Sequence, residues 1–130
     1  MSESPMSDTE MRETCETSVE KTRIILDFLI SEAKSCLVVV GAGGTGKTHA
    51  LNAALGALPD DLELNVYVWN DGELQSVRRF SHVGASSKWV VFRHEYDSLA
   101  RELVREWSAG GHCVQAVRFA GTNDVLMRTM

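Results

Sequence analysis

Cysteine is scarce in this chain: Cys15, Cys36 and Cys113 are widely separated and odd in number. No pair has metal-ligand spacing, and such a set argues against a disulfide framework, so free thiols in a reducing compartment are expected. The four histidines, His49, His82, His94 and His112, form no zinc pattern either. Long apolar runs are missing as well. The stretch 24–30 is broken by Asp27 and falls well short of the ~20 residues that span a bilayer. No membrane contact is therefore expected. The start Met1-Ser2-Glu3-Ser4-Pro5 lacks the basic and apolar regions of a signal peptide, which predicts a cytoplasmic, intracellular protein. A basic excess is also lacking. The net charge is −5, and residues 1–20, with six acids and only Arg12 as a base, account for all of it. An acidic tail on a neutral body gives no support for a surface that coats nucleic acid.

What is present is an ordinary globular composition in 130 residues, long enough for one domain with a real core. Residues 1–12 are rich in Ser, Glu and Met and are expected to be a disordered acidic tail. Residues 13–35 read as an N-terminal helix with a wide apolar face carried by Val19, the stretch 24–26, the stretch 28–30 and Ala33. Such a face calls for a partner, and packing within the chain is preferred over a subunit contact. Residues 36–130 then alternate strands with helices. The run 36–40 is a buried parallel strand, 47–58 an Ala/Leu helix stopped by Pro59-Asp60-Asp61, and 62–69 a strand ending in the turn Asn70-Asp71-Gly72. A short helix is expected over 73–80, a loop over 81–87 and a third strand at 89–92. In 96–109, Tyr96, Leu99, Ala100, Leu103, Val104 and Trp107 recur at three and four residues, and Asp97 and Arg101 form a favourable four-apart pair on the outer side. A fourth strand follows at 113–119. Strands separated by helices imply a mostly parallel sheet covered on both sides, hence an α/β, three-layer architecture.

The chemistry concentrates in Gly41-Ala42-Gly43-Gly44-Thr45-Gly46-Lys47-Thr48. Average residue usage produces a Gly-x4-Gly-Lys-Ser/Thr match in roughly one chain of this length in 200, and here it also follows a strand and opens a helix, as the function requires. Glycines let the backbone curl into a cup whose N–H groups converge on a phosphate, and the helix adds the positive end of its dipole. Lys47 would reach the β and γ phosphates, and the Thr48 hydroxyl would be a magnesium ligand. ATP, or another nucleoside triphosphate, and Mg2+ are thus the expected ligands of a P-loop NTPase.

Hydrolysis also needs an acid at the carboxyl edge of the sheet, to hold magnesium through water and to activate the attacking water. Asp71 is one candidate. The other segment is Val90-Val91-Phe92-Arg93-His94-Glu95-Tyr96-Asp97-Ser98-Leu99-Ala100. This segment resembles the Walker B region of AAA+ and related ring ATPases, four apolar residues before Asp-Glu-x-Asp-x-Leu. The strand Val117-Arg118-Phe119-Ala120-Gly121-Thr122-Asn123 is similar to their sensor-1 segment, and to motif C of superfamily 3 viral helicases. The order of elements agrees, and the strand between the loop and the acidic segment separates this class from kinases and GTPases. The resemblance implies that Glu95 is the catalytic glutamate and Asn123 the residue orienting water. It places His94 where the magnesium-holding aspartate belongs. Imidazole is a poor substitute for a carboxylate at a hard ion, so either hydrolysis is weak, or Glu95 or Asp97 takes over the metal, or Asp71 is the true acid. Asp97 also reads as a simple helix cap.

Ring ATPases of this type add a fifth strand and an arginine-finger segment that the residues after Asn123 do not supply. A reduced core is expected, with Arg118 and Arg128 as the arginines available. The Arg78-Arg79 pair is too small to argue for nucleic acid. The expected function is ATP binding with slow hydrolysis, in a homo-oligomer of weak or nucleotide-dependent kind. Two rivals stand beside it: a small-metabolite or nucleoside kinase, and an ATP-binding scaffold without turnover.

Overall fold

The computed structural model describes residues 14–59, 61–70, 73–79, 86–95 and 97–121. The expected tail 1–12 and the residues Asp71, Tyr96, Asn123 and Arg128 lie outside the described residues. Six strands and three helices follow in the order β1 (Thr14–Cys15), α1 (Ser18–Ile30), β2 (Cys36–Val40), α2 (Lys47–Ala57), β3 (Leu64–Asn70), β4 (Glu73–Arg78), β5 (Ser86–Arg93), α3 (Ser98–Ala109) and β6 (Val114–Phe119). The strands form one sheet in the order β1-β6-β2-β5-β3-β4, parallel except for the β3–β4 pair. The mostly parallel α/β sheet expected from the alternating pattern is therefore present. No helix among the described residues is long and apolar enough to cross a membrane.

β2 is the axis of the sheet. All five of its residues are buried, because it is paired along both edges and covered on both faces. Its alternate side chains feed two separate cores. Leu37 and Val39 join Val66, Val68, Val90, Phe92, Val117 and Phe119 under α1 and α2, while Cys36, Val38 and Val40 join Val91 and Ala116 under Val104 of α3. Burial pushes the Cys36 thiol far above its ordinary range, and Cys15, Cys36 and Cys113 are all free thiols.

The N-terminal helix is shorter than the 13–35 segment suggested. It starts at Ser18 because Thr17 and Glu20 form a capping box: Glu20 N–H donates to Thr17 Oγ1 at 3.1 Å, and Thr17 N–H donates to Glu20 Oε1 at 3.1 Å. The residues just before it become the edge strand β1, in register with Arg118 and Phe119 of β6. Most of the apolar face of α1 is used inside the chain, while Val19 and Ile30 are exposed. Ile25, Phe28 and Leu29 are buried in the same core as Ala50, Leu51, Ala54 and Leu58 of and after α2, whose small alanines let the two helices approach closely.

The expected helix at 73–80 is corrected to strand β4, with Asn70 opposite Glu73. Only Asp71-Gly72 separates those two residues, and Asp-Gly is a strong two-residue hairpin signal. β3 would otherwise leave its backbone edge unpaired, and pairing outweighs the weak helical preference of an exposed six-residue segment. Arg78 then reaches back to the end of α2, donating to the carbonyls of Pro59 at 2.5 Å and Leu55 at 3.5 Å. These bonds cap the C-terminal end of α2.

Phe28 is 1 % exposed and sits at the centre of the α1 contact. Phe28→Ala should lower the free energy of unfolding by about 3–5 kcal/mol, read from urea denaturation followed by circular dichroism. A loss under about 1 kcal/mol, the size of a surface change, would mean that α1 is not part of the domain core.

Candidate functional site

The chain leaves β2 at Val40, whose partners in register are Arg93 of β5 and Arg118 of β6. The loop 41–48 therefore opens at the carboxyl edge of the sheet, with a strand ending level with it on either side. Ligands of open parallel sheets bind at such edges. Gly41 N–H donates to the Arg93 carbonyl at 2.8 Å, and a Cβ at Gly41 would stand 2.7 Å from Thr45 Oγ1 and 2.9 Å from the Phe119 carbonyl oxygen. Only glycine fits there. Gly44 and Gly46 have φ of 83° and 85°, left-handed values that cost any other residue strain. Gly46 is also the N-cap of α2, so no side chain caps that helix, and the amino end of its dipole joins the loop.

Inside the loop the polar side chains turn onto its carbonyls. Thr45 donates to the Ala42 carbonyl through N–H at 3.3 Å and through Oγ1 at 2.7 Å. Lys47 Nζ donates to Gly41 O at 2.5 Å and Ala42 O at 3.2 Å. The Thr48 side chain is exposed. A cavity of about 380 Å³ lies on the β5 and β3 side, lined by loop residues 43–49 together with Asn70, Phe92, Arg93 and His94. A second, of about 360 Å³, lies on the β6 side, lined by residues 41–45, His94, Arg118, Phe119 and Gly121. His94 borders both. Lys47 and Arg93 make the first wall cationic and Arg118 the second, and among the described residues no carboxylate lines either. Such a wall attracts an anion.

Sequence-predicted residues separate into those the fold brings together and those it does not. Gly41 through Thr48 form one continuous cup, and His94 stands beside it. Glu95 is exposed and is not among the residues lining either cavity. Asp97 is occupied: its Oδ1 accepts from Ala100 N–H at 2.9 Å as the N-cap of α3, and its Oδ2 pairs with Arg93 Nη2 at 2.6 Å. The partner of this carboxylate is thus the arginine four residues before it. That pairing explains how Arg93 is accommodated at the end of a buried strand, although its Nε is buried without a hydrogen-bond partner. Arg118 is exposed at the end of β6.

Lys21 is the residue that sequence reasoning missed. It is 1 % exposed, and its Nζ donates to Thr45 O at 2.7 Å and Ala120 O at 2.6 Å. Its signal was positional. Lys21 heads the apolar stripe Ile25–Phe28 at helical spacing, a place where a lysine is out of pattern.

The donor set fits an anionic ligand. Loop glycines, an uncapped helix start and the cationic side chains of Lys47 and Arg93 at the cavity wall all favour an anion. For magnesium the chain offers the Thr48 hydroxyl. Among the described residues no group of three or more His, Cys, Asp or Glu side chains could hold a metal by itself, so the cation would arrive with the phosphates.

The Asp97 carboxyl is held below its ordinary pKa, chiefly by the Ala100 N–H and further by Arg93, with desolvation opposing both. A depressed carboxyl contributes stability above its unfolded pKa and loses it as pH falls through the folded value. Asp97→Asn should accordingly be less stable than the parent at pH 7, and the gap should close below about pH 4. Urea midpoints of both proteins across the acid range test this, and a gap independent of pH would remove the ionised pair from the account.

Comparison with protein-family models, with curated proteins and with solved structures finds no match.

Proposed function

We propose that the chain binds a nucleoside triphosphate with magnesium in the loop 41–48 and hydrolyses it slowly, as a three-layer P-loop domain resembling a reduced AAA+ or superfamily 3 helicase core. One observation carries this reading. A Gly-x4-Gly-Lys-Thr loop leaves a fully buried parallel strand, curls through two left-handed glycines and opens an uncapped helix between two cationic cavities. The β and γ phosphates would lie against the amino end of α2, with Lys47 giving up its loop carbonyls to meet them. Thr48 would be the protein's oxygen on magnesium, which when bound would neutralise phosphate charge and polarise the bond to be broken. His94 borders the cup where the resemblance expects a metal-holding carboxylate. A neutral imidazole adds no charge there and a protonated one repels the ion, which is why turnover should be slow. Glu95 is the first carboxylate beyond the end of β5 and is the proposed activator of water. Asn123 would orient that water.

Assembly into a nucleotide-dependent homo-oligomer belongs to the same reading. Most of the apolar face of α1 packs inside the chain, but its Val19 and Ile30 are exposed, and the subunit contact would lie near this helix. Phosphoryl transfer to a small acceptor is the second reading, and the strand order favours it. β3 intervenes between the loop and the acidic segment in sequence but not in space, since β5 pairs directly with β2. The feature that set the chain apart from kinases is thereby weakened, and the cavity bounded by His49 and Asn70 has room for an acceptor.

Lys47→Ala should lose most affinity for a fluorescent ATP analogue while its circular dichroism is unchanged, and Thr48→Ala should mainly weaken the magnesium-dependent part of binding. Equal binding by Lys47→Ala and the parent would falsify the central reading. For chemistry, phosphate release should be slow in the parent, faster in His94→Asp and absent in Glu95→Gln, whose binding stays intact. If Glu95→Gln keeps its activity and Asp71→Asn loses it, the acid lies after β3 and the ring-ATPase alignment is wrong. Transfer of phosphate to a nucleoside panel, with little release to water, would establish the kinase reading instead.

A further inference from the structure

Two lysines are buried in this protein, and both hold α1 to something else. Lys88 on β5 is 4 % exposed, and its Nζ donates to the carbonyls of Ser31 and Lys34 just past the end of α1, over the ring of Phe28. Lys21, in the first turn and a half of the same helix, points to the opposite end of the sheet. Its Nζ donates to the carbonyl of Thr45, in the middle of the glycine-rich loop, and to the carbonyl of Ala120, where the chain leaves β6. The Phe119 ring lies 5.5 Å from the ammonium, within cation–π range. Ala120 is held from its other side too, since its N–H donates to the Cys15 carbonyl at 2.9 Å. Burial pulls the Lys21 ammonium below the ordinary lysine pKa, so keeping this group inside is costly unless its hydrogen bonds are made.

We propose that Lys21 is a positioning residue for the phosphate-binding loop, holding the Thr45 and Ala120 carbonyls on one ammonium so that the cup keeps its ligand-ready shape and is tied to the chain leaving β6. The inference rests on the nucleotide reading above and adds to it a role for the N-terminal segment. Thr45 precedes Gly46, whose left-handed φ sets the direction in which α2 begins. A carbonyl pinned at Thr45 fixes the peptide plane shared with Gly46, and with it the aim of the first N–H groups of α2. The ammonium also places a positive charge beneath the cup, where bound phosphate would feel it through little intervening water. A ligand that draws on the cup should therefore sense Lys21, and the segment after β6 should sense the ligand through it.

Lys88 supplies the matched control, because it is also buried, bonds two carbonyls just past the end of the same helix and contacts no residue of the loop 41–48 in those bonds. Lys21→Met keeps the apolar stem and removes the donors. Its affinity for ATP with magnesium should fall about tenfold or more, as for loss of a charged hydrogen bond, at a temperature where the variant is fully folded. Lys88→Met should lose comparable stability to urea while its ATP affinity stays within about twofold, as expected for a distant site. Lys21→Arg, which restores charge and donors, should recover part of the lost affinity. Should Lys21→Met fail to fold, the parent protein gives the answer through lysine side-chain nitrogen NMR. The Lys21 signal should move on adding ATP and magnesium while the Lys88 signal stays in place. Equal ATP affinity in Lys21→Met and the parent, equal losses in the two methionine variants, or ligand-independent Lys21 signals would each overturn the positioning role while leaving nucleotide binding intact. A parent protein that binds no nucleotide would overturn both readings together.

Discussion

β2 is paired in register with β5 on one edge and β6 on the other, and Val40 lies opposite Arg93 and Arg118 at its end. This double pairing places everything at the site. The chain leaves β2 at the carboxyl edge, where β5 stops level with it and β6 one residue beyond, and the loop must turn within a space already walled by their last residues. Gly41 has no room for a side chain because Thr45 and the Phe119 carbonyl occupy it. The uncapped start of α2 and the two cavities follow from that turn. A strand buried on both faces and both edges is also the least deformable part of such a sheet, so the loop is carried on a rigid base.

Charge is arranged around the loop with a consistent sign. Lys47 and Arg93 line one side, Arg118 the other, and Lys21 lies underneath. The Asp97 carboxylate is turned to Arg93 and the start of α3. It serves to hold Arg93 and cap a helix, which leaves the loop side cationic. A polyanion gains from that field and a bare divalent cation does not, so in the proposed complex the metal would enter with the phosphates.

The remainder of the fold supports the site at a distance. α1 spans the sheet with one buried lysine engaged near each end. Lys21 holds loop and β6 together, and Lys88 holds the turn after the helix to β5. The sheet edges are blunted in different ways. β1 has two residues, and β4 is exposed, with an irregular register against β3 between Val66 and Tyr67. Short or bulged edges discourage pairing with other chains.

Local signals in the sequence determined the parts that depend on local physics. The glycine-rich loop, the continuous apolar run of β2, the helix opened by Lys47 and the cap at Asp97 are each encoded in a few adjacent residues, and each is found where those residues stand. The same kind of reading failed at Glu73–Arg78, where a weak propensity gave way to the open edge of β3. It also could not order the strands, since the pairing of β5 with β2 joins residues some fifty positions apart and depends on which apolar faces fit together. Only the tertiary structure decided that Glu95 would lie exposed beyond the cavities while His94 borders both. It alone gave Lys21 its role, because a lysine on an apolar stripe stays buried only where folding brings carbonyls from two distant segments within reach of one ammonium.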